Sequence, residues 1–89
     1  GGQTARAVGE RLRELGRRHQ VLCITHLPQV AAQAESHFRI EKSIGEEPAL
    51  TTVEALEGDG VVEELCRMLG AGASDEAARK HARQLLAAA

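Results

Sequence analysis

Large aromatic rings are nearly absent: Phe38 stands alone, with no Trp and no Tyr, so aromatics are 1% of the 89 residues. Rings normally contribute much of a core's buried area, and a short chain filled with Ala, Leu and Val has little stability in reserve. We therefore expect it to lean on a neighbour, either another chain or the rest of its own. No apolar run approaches the ~20 residues of a membrane-crossing helix, and no signal-peptide pattern is present. Both absences point to the cytoplasm. The net charge is −2 with acids and bases interspersed, so no basic field argues for nucleic acid. Cysteine is limited to Cys23 and Cys66, without C-x-x-C or metal-ligand spacing. Each sits in an apolar pattern and reads as a reduced core thiol. No histidine pair has zinc-site spacing, and neither common Gly-rich phosphate loop occurs. Ser43 and Ser74 lack a nucleophile-elbow context. As a self-contained enzyme the chain looks incomplete, and its start at Gly1-Gly2 without Met suggests a piece of a longer one.

What is present centres on Val21-Leu22-Cys23-Ile24-Thr25-His26-Leu27-Pro28. The apolar and β-branched run has no polar alternation, which predicts a strand over Gln20–Thr25 buried on both faces, as in a parallel α/β sheet. Pro28 ends strand pairing and suits the first turn of a helix. His26 thus falls just past the carboxyl end of a central strand, where open α/β sheets bind ligands.

Around it, Ala5, Val8, Leu12 and Leu15 predict an amphipathic helix from Thr4 to about Arg18. Glu14 and Arg18 are spaced as a favourable pair, and Arg13, Arg17 and Arg18 read as a solvated face. A short helix from Pro28 to about Glu35 would bury Val30, Ala31 and Ala34. Alternation over Ser36–Ser43, with Phe38 and Ile40 on the inner side, predicts a half-buried strand. A turn-rich connection leads to a second strand over Ala49–Glu57, which makes an antiparallel edge hairpin. Asp59 is the expected N-cap of a helix carrying Val61, Val62, Leu65, Cys66 and Leu69, and Gly70 suits its left-handed C′ position. Ser74 is the expected cap of a last helix whose apolar face is Ala77, Ala78, Ala82, Leu85 and Leu86. The predicted order is α-β-α-β-β-α-α: an α/β fold in one unit over 1–89, with no second domain.

His26 is the one candidate for chemistry that composition leaves standing. A histidine at a strand end is either a structural turn residue or a group aimed at a bound phosphate or attacking water. A neutral imidazole donates one N–H and accepts at its other nitrogen; a protonated one donates twice. Thr25 adds a hydroxyl, which at a strand end usually bonds to backbone. Gln29, in the first turn of the next helix, could reach the same site or a neighbouring subunit. His19, His37 and His81 have nothing around them to raise them above surface or packing roles.

The stretch Val21 to Ala31 resembles the switch-histidine segment of ABC- and SMC-type ATPases. Its continuation through Ala34, His37, Phe38 and Lys42 is similar to the RecN-type family of bacterial DNA-repair ATPases. So are Val62-Glu63-Glu64-Leu65-Cys66-Arg67-Met68-Leu69-Gly70 and His81-Ala82-Arg83-Gln84-Leu85-Leu86. Gly1-Gly2 resembles the tail of the loop after that family's Walker B acids, a weak nucleotide-site candidate. The resemblance implies a partial P-loop NTPase head lobe, the C-terminal portion after Walker B. Walker A, the signature motif and Walker B would lie upstream, with the ligands for ATP and Mg2+. It also implies that His26 is the switch histidine, contacting the γ-phosphate or lytic water when two heads close. Its partners would be the N-terminal lobe of the same protein, a second head in a homodimer, and DNA through the whole protein, with no membrane. The role implied is recombinational repair of double-strand breaks in a bacterial cytoplasm, associated with the nucleoid.

Two other readings stay open. One is a non-enzymatic α/β interaction module whose C-terminal helices dock a partner. The other is the corresponding segment of another ABC ATPase, such as a transporter. The sequence just before Gly1 discriminates: the ATPase reading requires an apolar strand ending in Asp-Glu there.

Overall fold

The computed structural model describes residues 1–89. Its elements are α1 (Gly2–Leu15), α2 (Pro28–Ala31), β1 (His37–Lys42), β2 (Thr51–Leu56), α3 (Asp59–Met68) and α4 (Glu76–Ala87). The order is α-α-β-β-α-α, one strand short of the sequence expectation. The fold is a small α/β domain with one two-stranded antiparallel sheet and four helices.

The core sits where α2, α3 and α4 meet. Val61, Val62, Leu65 and Cys66 recur at helical spacing along α3, and all four are buried. Ala32 and Ala82 complete the cluster, so this core contains no residue larger than leucine. The end of α3 follows from its sequence. Gly70 takes φ 82°, a region closed to most side chains. With Gly70 so turned, Ala71 N–H donates to the Cys66 carbonyl at 3.1 Å and Gly70 N–H to the Arg67 carbonyl at 3.0 Å, the paired bonds of a Schellman cap. At the start, Gly58 rather than Asp59 occupies the N-cap, with φ 55°, and Asp59 falls in the first turn. The cap of α4 likewise shifts by one, from Ser74 to Asp75, whose Oδ1 accepts from Ala78 N–H at 3.0 Å. Arg79 in turn binds Asp59 and the Ala73 carbonyl, tying α4 and its leading loop to α3.

β1 and β2 pair from His37↔Leu56 to Lys42↔Thr51. Arg39 lies opposite Glu54 in that register, and its Nη2 reaches Glu54 Oε2 at 2.6 Å. The expected inner face is corrected: Phe38 and Ile40 are 57% and 51% exposed, whereas His37 and Arg39 are half-buried. Charges cover that second face. Arg39 Nε lies 3.0 Å from Glu41 Oε1, and Arg67 of α3 sits between Glu64 and Glu41. The hydrogen bond that Arg67 donates to Glu64, aided by the charges of Glu64 and Glu41, raises the Arg67 pKa above its ordinary value.

The largest correction concerns Gln20–Thr25. The segment is not a strand, and no backbone N–H or carbonyl of residues 21–26 pairs with another backbone group. Leu22 and Ile24 are 86% and 83% exposed, and Cys23 is exposed, so only Cys66 is a core thiol. The reason is physical: a strand buried on both faces needs neighbours along both edges and both faces, and these 89 residues supply none. Burying Leu22 and Ile24 would contribute about 3–6 kcal/mol, which this chain by itself leaves unrealised. α1 shows the same shortfall, because Val8 and Leu15 of its apolar stripe are exposed and only Gly9 is buried. α1 also stops at Leu15, so the expected Glu14–Arg18 pair is not formed. Instead Arg6 pairs with Glu10 at 3.0 Å and Arg11 with Glu14 at 3.4 Å. α2 is a single turn, with Val30 buried as expected, Ala31 half-buried and Ala34 exposed.

Candidate functional site

The candidate site is built from a turn between an extended segment and a one-turn helix. Pro28 is the first residue of α2, where its missing N–H leaves nothing unpaired and its fixed φ suits the helix. Leu27, the N-cap, is extended at φ −98° and ψ 115°. Its carbonyl accepts from Val30 and Ala31 N–H at 3.1 and 3.0 Å. Its own N–H donates to Thr25 Oγ1 at 3.0 Å, so the threonine hydroxyl braces the turn. Residues 25–31 are thereby one hydrogen-bonded unit, and His26 lies inside it, exposed.

Thr25 and His26 line a broad concavity of about 1220 Å³, walled also by Leu22 and Ile24, Leu12 of α1, Phe38 of β1, and Leu65 and Met68 of α3. A small-molecule pocket is typically about 300–1,000 Å³ and mostly enclosed. This concavity is broader than that range, and Leu22 and Ile24, with their unpaired backbone, form part of its wall. Gln29 and Gly2 lie elsewhere. They line a separate depression of about 390 Å³ with Arg6, Gln33 and Leu85. A Cβ built on Gly2 would stand 3.7 Å from Gln29 Nε2, while Gly1 has nothing within 4 Å. The structure thus brings Thr25 together with His26 and Gly2 together with Gln29, in two different hollows.

An imidazole beside a hydroxyl is a donor set for an anionic oxygen, such as one edge of a phosphate. It is not a magnesium site, which calls for carboxylate and water oxygens, and no three His, Cys, Asp or Glu side chains converge anywhere in the fold. No helix is long and apolar enough to cross a membrane.

One positional feature escapes the sequence reading. Gly9 lies buried where α1 crosses α2, and Arg13 Nη1 donates to the Gln33 carbonyl at 3.4 Å beside it. A signal was available, because glycine inside a helical pattern costs stability unless close packing requires it.

No protein-family model matches the chain. Three curated relatives, each called DNA repair protein RecN, align with nearly all of it. The Deinococcus radiodurans protein is 46% identical over 87 residues, covering 98% of this chain. The Mycobacterium leprae protein is 47% identical over 89 residues, covering all of it. The Halalkalibacterium halodurans protein is 41% identical over 85 residues, covering 96%. The chain spans about 15% of the length of each of these relatives.

Proposed function

Because this chain belongs to the RecN family, we propose that it is the last part of a split ATP-hydrolysing head in a bacterial DNA-repair protein. In this reading the apolar segment Val21–Thr25 is a central strand of the complete head. Strands from the N-terminal lobe of the same protein flank it and fill the concavity. The single observation that carries the proposal is the braced turn Thr25–Pro28, which holds His26 exposed at the end of an unpaired apolar segment.

His26 then serves as the switch histidine. Its ring donates an N–H to a terminal phosphate oxygen or orients the attacking water when two heads close on each other. ATP and Mg2+ are gripped by segments outside these residues, and this piece alone is inactive. Phosphoryl transfer depends mainly on positioning and electrostatics, so one correctly placed imidazole is a sufficient contribution from this lobe. Thr25 acts by bracing the turn. Gly2 begins α1, which in this reading follows the Walker B loop, and Gln29 of α2 lies beside it. The complete protein is a cytoplasmic homodimer through its heads, and it engages DNA.

Changing His26→Ala in the complete protein lowers ATP turnover by about tenfold or more, while nucleotide affinity changes by less than about threefold. Steady-state hydrolysis and a separate binding titration check this. Wild-type turnover in that variant removes His26 from the mechanism. The exposed Leu22 and Ile24 also favour a second reading, a module that docks an apolar partner without hydrolysis. For that reading the complete protein would lack the P-loop and Walker B acids.

A further inference from the structure

We infer that Gly9 is a positioning residue for His26: its lack of a side chain lets α1 lie directly on the backbone of α2, and that contact sets where the His26 turn stands. This rests on the reading of His26 above. A Cβ at position 9 would lie 2.9 Å from Gln33 Cγ, 3.1 Å from the Gln29 carbonyl oxygen and 3.2 Å from Val30 Cα. The last two are backbone atoms of α2 and cannot rotate away.

Nor can α2 retreat. Pro28, Val30 and Gln33 are buried, Ala32 is packed into the cluster formed by α3 and α4, and Arg13 holds the Gln33 carbonyl from the α1 side. Relief therefore comes as a relative slide of α1 and α2 by a few tenths of an ångström. The bonds from Leu27 to Thr25 and from Val30 and Ala31 to Leu27 join α2 to the turn, so the slide carries His26 with it. Alanine is the better helix former, so any loss on Gly9→Ala arises from the α2 contact and not from a weaker α1.

The test uses the complete protein with four variants: Gly9→Ala, Gly9→Ala with Gln33→Ala, His26→Ala, and Gly60→Ala as a control. A Cβ at Gly60 meets only Leu56, at 3.8 and 3.9 Å, which is ordinary contact. Three quantities are read: kcat for ATP hydrolysis, nucleotide affinity, and the imidazole signals of histidine-labelled protein without nucleotide, with His26 identified by its loss in His26→Ala. A displacement of a few tenths of an ångström is expected to lower kcat in Gly9→Ala by about three- to tenfold, with affinity within about threefold. The His26 signal should move while those of His37 and His81 stay. Adding Gln33→Ala removes the tightest clash and should recover part of the loss, and Gly60→Ala should match wild type. Wild-type kcat with an unmoved His26 signal in Gly9→Ala overturns the proposal. So does a loss in which every histidine signal changes and Gln33→Ala restores nothing. A moved His26 signal in Gly9→Ala, with normal turnover in His26→Ala, would sustain the positioning claim and discard the catalytic reading of His26.

Discussion

Leu65 and Leu22 are the same residue type with opposite environments: Leu65 is enclosed among α2, α3 and α4, and Leu22 stands almost fully in solvent. The helical end of the chain finds its apolar partners within these 89 residues. The extended segment and the Phe38–Ile40 face of β1 do not. Equal hydrophobicity therefore marks two kinds of surface here, one that closes within these residues and one that does not.

The largest effect that would test this contrast comes from truncating each leucine. In the complete protein Leu65→Ala costs about 2–5 kcal/mol, the usual range for a buried leucine, and Leu22→Ala costs a similar amount if its partners lie in the other lobe. In the 89 residues alone, Leu22→Ala costs less than about 0.5 kcal/mol, as for a surface change. Denaturant melts of both variants in both contexts measure the difference. Equal and small effects of Leu22→Ala in both contexts would break the comparison. A smaller effect sharpens the locally closed side: Asp75→Ala removes the side-chain bond to Ala78 N–H and costs about 0.5–2 kcal/mol, whereas Ser74→Ala is nearly silent. Reversal of those two in the same melts would restore Ser74 as the cap.

These two regions also differ in how much of them the sequence reveals. α3, its Gly70 terminus and the hairpin follow from periodicity, a left-handed glycine and alternation, all of which act over a few residues. Caps moved by one position because Ser74 and Asp75, or Gly58 and Asp59, are adjacent residues that can each serve. The Glu14–Arg18 pairing failed because nothing in the pattern announces that α1 stops at Leu15. Burial of Val21–Ile24 and of Phe38 was inaccessible for a deeper reason, since burial is a property of neighbours and not of the segment. The turn holding His26 was legible, because Pro28 dictates where the helix starts. Gly9 was readable as an oddity, but the crossing it permits shows only in three dimensions.

The central claim is that Val21–Thr25 is a strand whose partners lie outside these residues, with His26 at its end. Amide hydrogen exchange tests it most directly. In the 89 residues alone, the amides of Leu22, Cys23 and Ile24 should exchange at nearly the rate of unstructured peptide. In the complete protein they should be among the most protected, as central strands are. Rapid exchange of those three amides in the complete protein would contradict the account.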